Sequence, residues 1–236
     1  MVRYSTHLYA EESVRIIEEH GRKEEKERSP FFLYLPFQAL HAPMQVTPPS
    51  WYLPDLLQVP GEYLKLVQRP GVSEERLLVL AMLAAMDEAI GQVVDALKAS
   101  GEYDNTAIVF TTDNGGSVSH RGSNLPLRGT KGTLWEGGTR GPAFVHSPLL
   151  PPEARGTTHE GAGCSATPSP HHLAGLFHIT DWMPTLASLA GVSKERVEEL
   201  GMDGIDQTDM LLHGGQSGRT EFVYNIKTSP FKAGYR

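Results

Sequence analysis

The chain has 236 residues, 39% hydrophobic and 21% charged, which is ordinary for a globular protein and enough for one large domain or two small ones. Its net charge of −7 argues against nucleic acid and against an anionic membrane surface as partners. The single cysteine, Cys164, excludes an intrachain disulfide and a zinc site built on cysteines.

The first seventy residues predict a helix, a strand and a long loop. Apolar residues among glutamates over 11–20 predict an amphipathic helix that ends at Gly21. The apolar run 31–35 predicts a buried strand, which the following proline ends. Residues 41–70 are rich in proline and have no period, which predicts an extended loop. Because such long loops are uncommon inside a compact domain, they are usually functional.

A long helix and a strand are predicted next. Ser73 is expected to cap the helix at its start, and Gly101 has the residue type that follows a helix end. Its apolar run 77–86 is about half of the ~20 residues that a membrane span requires, so we predict a buried helix and no membrane span. The β-branched stretch 106–112 then predicts a buried strand.

The rest of the chain continues the alternation. Glycine and polar residues over 115–141 predict a loop, and 142–146 a short strand. Residues 151–175 show no period and predict a disordered insertion. Thr180 or Asp181 is expected to cap a helix that runs through residue 190. Strands that alternate with helices predict an α/β fold with a largely parallel sheet.

Asp113 and Asn114 give the strongest functional signal. They follow the predicted strand 106–112 at its carboxyl end, where open α/β sheets place their ligand crevice. A carboxylate and an amide side by side offer the oxygen ligands that a hard cation such as Ca²⁺ takes. An ordinary turn formed by these residues for local reasons is the alternative.

Two further residues suit the chemistry of an anion. Lys131 lies among glycines, where the backbone does not hinder the approach of an anion. His41 follows a predicted strand in the same way as Asp113 does. A solvated loop lysine and an ordinary loop histidine are the alternatives. Together with a cation, these residues suit the hydrolysis of an anionic ester, in which histidine transfers a proton, but the set lacks a nucleophile.

Five segments carry a family resemblance, in order and spacing: 32–46, 86–91, 111–116, 126–138 and 178–186. In these segments the sequence resembles the sulfatase family, most closely the arylsulfatase B, I and J group. The resemblance implies an alkaline-phosphatase-like α/β sandwich with a largely parallel central sheet, incomplete in this chain. It also implies a calcium site that uses Asp113 and Asn114 with two earlier aspartates. His41 and Lys131 would be catalytic and bind the sulfate, with His41 as proton donor to the leaving oxygen.

The chain departs from the family at the nucleophile. That group is a formylglycine hydrate, which the formylglycine-generating enzyme makes from the cysteine of Cys-x-Pro-x-Arg. This motif is absent here, since the proline that follows Cys164 is four residues away and has no arginine two residues after it. The chain's Pro-x-Arg is 126–128, which puts Asn124, neither a nucleophile nor a substrate for the modification, at the nucleophile position.

The early aspartates of the family's calcium site are also missing. We therefore expect an internal part of a sulfatase, inactive by itself. Residues 1–226 would belong to the catalytic domain and 227–236 would begin a smaller C-terminal subdomain. The family resemblance implies a sulfated small molecule or glycan as substrate, and a parent protein in the lysosome, in the lumen of the endoplasmic reticulum or outside the cell. No signal peptide is visible in the sequence.

Two other interpretations stay open. One is a phosphate or phosphonate ester hydrolase on the same fold, whose relatives more often hold two transition metals. The other is a catalytically inactive truncated product that folds poorly or acts only by binding, because a sheet without its early strands would expose edges and apolar faces.

Overall fold

The computed structural model describes residues 3–41, 58–156, 158–160, 172–228 and 231–235. The chain forms two compact units, Met1–Pro148 and Leu149–Arg236. The first unit contains the helices α1 (Ser5–Gly21), α2 (Gly61–Val67), α3 (Glu74–Ala99) and α4 (Glu136–Thr139), and the strands β1 (Ile108–Thr111) and β2 (Ala143–His146). The predicted site residues that the structure describes all lie in this unit.

The two predicted helices of the first unit are confirmed. α1 starts six residues earlier than predicted, because its first turns bury Thr6, Ala10 and Ser13, which give no strong apolar pattern. The Ser73 hydroxyl accepts a hydrogen bond from the amide of Arg76 at 3.4 Å and caps α3 as predicted. Gly101 follows the helix with a φ of 74°, the left-handed region that glycine adopts without strain.

α3 is the central element of the first unit. By length and composition it could cross a membrane. In the structure, however, Ala96 and Leu97 pack with Ile17 of α1, and Ala81 and Ala85 pack with Tyr63 of α2. These contacts bury one face of α3, so the helix is only partly buried, in contrast to the buried helix that was predicted.

Two predictions for the segments that precede α3 are wrong. Residues 31–35 form no strand, because no part of the described chain pairs with them. Leu33 packs against the α1–α3 core, whereas Phe32 and Tyr34 are 75% and 77% exposed. α2 interrupts the predicted loop 41–70, since burial of Tyr63 against α3 stabilises a helix there. Residues 42–57 of that loop lie outside the described residues.

Strands β1 and β2 confirm the two strands predicted around the site, with shorter bounds, but β1 is only partly buried and not the buried strand that was predicted. They pair antiparallel, with Ile108 opposite His146 and Thr111 opposite Ala143. In the described part of the chain β3 (Thr158–Glu160) and β4 (His172–Ala174) pair parallel, and β5 (Val223–Thr228) and β6 (Phe231–Tyr235) pair antiparallel. The described strands thus form small sheets beside helices, with more antiparallel pairing than the sequence indicated.

The described residues of the second unit form three α-helices and four strands. The helices are α5 (Trp182–Leu189), α6 (Lys194–Glu199) and α7 (Thr208–His213), and the strands are β3 (Thr158–Glu160), β4 (His172–Ala174), β5 (Val223–Thr228) and β6 (Phe231–Tyr235). α5 confirms the predicted helix but not its cap, because a 3-10 helix at Ile179–Asp181 precedes α5 and His178 caps that helix. In the predicted insertion, residues 157 and 161–171 lie outside the described residues. Of the described ones, Pro152–Ala154 form a 3-10 helix and residues 158–160 and 172–174 form β3 and β4, so the prediction of disorder is wrong there. The predicted boundary after residue 226 falls within β5 and stays a prediction.

A buried ion pair holds the second unit together. Asp181 is fully buried, and the Nε of Arg219 donates to its two carboxylate oxygens at 3.1 and 2.9 Å. The backbone amides of His178 and Ile205 also donate to this carboxylate, each at 2.8 Å. Burial alone would raise the pKa of Asp181, but these hydrogen bonds outweigh it and lower the pKa below its usual value. The carboxylate therefore stays charged at neutral pH and joins the start of α5 to residues 205 and 219.

We predict that Asp181→Ala lowers the free energy of unfolding of the second unit by about 3–5 kcal/mol, because it leaves the Arg219 guanidinium buried and unpaired. Urea unfolding followed by fluorescence of Trp182 measures this loss. Glu199→Ala is the control, since the Arg196–Glu199 pair is exposed and should contribute nothing measurable. Equal effects of the two substitutions would show that the buried pair does not hold the unit.

The same carboxylate predicts a pH dependence of stability. The pKa of Asp181 is lower in the folded state than the value of about 3.9 expected when the chain is unfolded. The contribution of the Asp181 carboxylate to the free energy of unfolding is therefore complete above pH ~4 and is lost as the pH falls through the folded-state pKa. Urea unfolding between pH 2 and 7 should show that the free energy of unfolding declines below pH ~4, and that this decline is shallower in Asp181→Asn. Identical pH profiles for both proteins would contradict this.

Candidate functional site

Asp113 and Asn114 lie in a short segment that two backbone hydrogen bonds hold in place. Just after β1, the amide of Thr112 donates to the carbonyl of Pro142 at 3.2 Å. Three residues later, the amide of Gly115 donates to the carbonyl of Gly138 at 3.0 Å. The pair thus follows directly from the end of β1, as the sequence predicted, and is fixed against the chain that leads into β2.

Glycines allow the backbone segments around this pair to touch. A Cβ atom at Gly115 would lie 1.9 Å from the carbonyl oxygen of Gly137. A Cβ atom at Gly137 would in turn lie 2.5 Å from the carbonyl oxygen of Gly129. Since real side chains never approach so closely, these glycines are required by the packing of three segments, 115–116, 128–130 and 137–138. We call these three segments the glycine cluster.

Lys131 joins the glycine cluster through its backbone. Its amide donates to the carbonyl of Gly116 at 3.2 Å, and the hydroxyl of Thr130 donates to the same oxygen at 3.1 Å. Gly116 is only two residues from Asn114, so the structure brings Lys131 and the Asp113–Asn114 pair into one group of loops. Lys131 is exposed, and its ammonium forms no ion pair within the described parts of the chain.

His41 is positioned by a different part of the first unit. Its amide donates to the carbonyl of Gln38 at 2.8 Å, which closes a turn at the end of the extended segment that contains Leu33. Ala39, inside this turn, packs against Val79 and Met82 of α3. His41 is exposed and is therefore accessible to a ligand.

Asp113 and Asn114 have free oxygen atoms. Asp113 is exposed, and no side chain or amide of the described residues donates to its carboxylate. The Nδ2 of Asn114 donates to the carbonyl of Gly115 at 2.9 Å, which leaves its Oδ1 as an acceptor. Ca²⁺ takes six to eight oxygen ligands. The pair offers oxygen atoms of the type that Ca²⁺ takes, and among the described residues there is no group of three or more metal-binding side chains.

Sequence reasoning missed the structural role of Asn124. Its Oδ1 accepts from the amide of Gly116 at 2.7 Å, and its Nδ2 donates to the carbonyls of Gly116 at 2.8 Å and Gly129 at 3.2 Å. The sequence showed only that asparagine at this position cannot be the nucleophile. No local pattern could reveal a contact with a glycine eight residues earlier in the chain.

Arg128 and Trp135 form a second contact that was not predicted. The guanidinium of Arg128 lies over the indole ring, 3.8 Å from the ring centroid, in cation–π geometry. This contact closes the loop that carries Lys131 across its base. Both residues belong to the motif segment 126–138, but their spacing in the sequence does not by itself indicate that their side chains stack.

Comparison with known proteins identifies the family. A family profile described as Sulfatase matches residues 2–192. The chain is 37% identical to mouse arylsulfatase J over 239 aligned residues, which cover 98% of this chain and 34% of that protein. It is 30% identical to mouse N-acetylgalactosamine-6-sulfatase over 230 residues, which cover 94% of this chain and 36% of that protein. The chain thus spans about a third of the length of these relatives.

Solved structures agree with the sequence relatives. The chain is 28% identical in sequence to the protein in the crystal structure of Ps i-CgsB in complex with k-i-k-neocarrahexaose. The two structures align with a TM-score of 0.68, over 92% of this chain and 40% of that chain. The yidJ protein of Bacteroides fragilis, at 19% identity, shares the fold with a TM-score of 0.66, over 97% of this chain and 46% of that chain. The predicted alkaline-phosphatase-like α/β class is confirmed by these neighbours. The chain belongs to the sulfatase family.

Proposed function

We propose that the protein to which this sequence belongs hydrolyses sulfate esters. The observation that carries the proposal is the hydrogen bond from the backbone amide of Lys131 to the carbonyl of Gly116, two residues after Asn114, in a chain of the sulfatase family. The Asp113–Asn114 pair and Lys131 are both accessible, and both suit an anionic ester. The pair can hold a cation, and the lysine supplies a positive charge of its own.

Calcium is the cation that we propose for the pair. The carboxylate of Asp113 and the Oδ1 of Asn114 would hold it, since both are oxygen ligands that the described residues leave free. When bound, the ion stabilises negative charge on the sulfate oxygens. The remaining ligands would come from water, from substrate and from carboxylates that the described residues do not gather here.

Lys131 and His41 would act on the substrate directly. The ammonium of Lys131 has no ion-pair partner in the part of the chain that the structure describes, so its charge is available to the sulfate. The imidazole of His41 would donate a proton to the oxygen of the departing alcohol. The attack on sulfur needs a nucleophile, and the 236 residues contain no Cys-x-Pro-x-Arg motif. We propose that a formylglycine hydrate, made by the formylglycine-generating enzyme, supplies it from another part of the protein.

The substrate that we propose is a sulfated small molecule or glycan. N-acetylgalactosamine-6-sulfatase is named for a sulfated sugar, and Ps i-CgsB was solved with a carrahexaose. We place the protein in the lysosome, in the lumen of the endoplasmic reticulum or outside the cell, as the family resemblance implies.

We predict that the 236-residue chain alone does not hydrolyse a chromogenic aryl sulfate, because it lacks a nucleophile. Fused to a preceding segment that contains Cys-x-Pro-x-Arg, and coexpressed with the formylglycine-generating enzyme, it should become active. In that protein Asp113→Ala and Lys131→Ala should each lower kcat/KM at least about 100-fold, because each removes charge stabilisation in the transition state. Release of the aryl alcohol, followed by absorbance, measures the rate.

Asp104→Ala and Lys65→Ala are the matched controls, since both residues are exposed and lie outside the site. They should leave the rate unchanged. Full activity in Asp113→Ala or Lys131→Ala would refute the assignment of these residues. The corresponding aryl phosphate tests the alternative reaction, since a preference for phosphate over sulfate would favour a phosphate ester hydrolase.

A further inference from the structure

We propose that Asn124 is a positioning residue that holds Lys131 and the Asp113–Asn114 pair in one fixed arrangement. This inference rests on the proposed function, because it assigns a role in the same site. Asn124 lies two residues before the proline of Pro126–Arg128, the position that the nucleophile-forming cysteine takes in Cys-x-Pro-x-Arg. The structure instead directs its amide group at the backbone of the glycine cluster.

The Asn124 amide holds the peptide groups on both sides of Gly116. Its Oδ1 accepts from the amide of Gly116 at 2.7 Å, and its Nδ2 donates to the carbonyl of Gly116 at 2.8 Å. These are the two shortest of its three hydrogen bonds, and together they fix the orientation of the backbone two residues after Asn114. A carboxamide has a donor and an acceptor on one planar group, so neither aspartate nor alanine can form this pair of contacts.

The same amide also reaches the segment that carries Lys131. Its Nδ2 donates to the carbonyl of Gly129 at 3.2 Å, two residues before Lys131. The amide of Lys131 donates to the Gly116 carbonyl that Asn124 orients. One side chain therefore joins the segment that follows the proposed calcium ligands to the segment of the proposed sulfate-binding lysine. Asn124 touches neither group itself, so its effect on the site must act through the backbone.

Asn124→Ala and Asn124→Asp separate this role from a general effect on folding. Alanine removes all three hydrogen bonds. Aspartate keeps an acceptor for the amide of Gly116 but replaces the donor by a second oxygen, which faces the carbonyls of Gly116 and Gly129. Asn105 provides the matched control, since it is exposed and its side chain forms no hydrogen bond with the described residues.

Hydrogen exchange, resolved by NMR in the full 236-residue chain, measures the arrangement without any catalysis. In Asn124→Ala the amides of Gly116 and Lys131 should both exchange about tenfold faster or more. In Asn124→Asp the amide of Lys131 should exchange faster while that of Gly116 stays protected. Asn105→Ala should leave both rates unchanged. A purely structural role would not produce different changes at these two amides in Asn124→Asp.

Binding of inorganic sulfate, measured by NMR titration of the same proteins, connects the arrangement to the site. Asn124→Ala should weaken sulfate binding about tenfold, in the same direction as Lys131→Ala. An exchange rate of Lys131 within twofold of wild type in both Asn124 variants, or equal changes at Gly116 and Lys131 in Asn124→Asp, would overturn the inference. If Lys131→Ala leaves sulfate binding unchanged, the proposed function fails instead, and the exchange rates still decide the role of Asn124.

Discussion

The arrangement of the site depends on the carbonyl oxygen of Gly116. Three donors converge on it: the Asn124 amide at 2.8 Å, the Thr130 hydroxyl at 3.1 Å and the Lys131 amide at 3.2 Å. A carbonyl has two lone pairs, so the three donors must share them and approach from a restricted range of directions. This constraint fixes where the loop of Lys131 lies relative to the strand end that carries Asp113 and Asn114. The glycines are needed because any Cβ atom at Gly115 or Gly137 would push these backbones apart.

The helical core supports this arrangement from two sides. Ile108 of β1 packs against the cluster of Ile17, Ala96 and Leu97, which fixes the strand that leads to the site. At the other end of α3, the guanidinium of Arg76 donates to the carbonyl of Arg121 at 2.8 Å. The loop before Asn124 is thus tied to the start of the same helix. A long rigid helix therefore sets the position of both segments, and the hydrogen bonds at Gly116 adjust them locally.

Much of the fold and part of the site could be predicted from local sequence. Ser73 and Gly101 marked the ends of α3 because caps act within a few residues. Asp113, Asn114 and Lys131 could be proposed as site residues because each sits in a short recognisable motif, and their roles stay predictions. α2 was missed because its stability depends on the burial of Tyr63 against α3. Asn124 was missed for a similar reason, since its partners lie eight residues before it and five residues after it. Whether a segment forms a strand likewise depends on a partner strand from elsewhere in the chain, and residues 31–35 have no such partner among the described residues.

Binding of sulfate and cleavage of its ester can be separated in this chain. The backbone that carries Lys131 and the backbone that follows Asn114 are positioned by contacts within residues 108–142, whereas the described residues do not complete the oxygen ligands of a cation. The covalent step needs a group that no residue of this sequence can become by the family's chemistry. Electrostatic positioning, unlike nucleophilic attack, depends only on where charges and dipoles are held before the reaction. We therefore expect recognition of the sulfate group to depend on these loops, and the proposed turnover to need a nucleophile that the 236 residues do not contain.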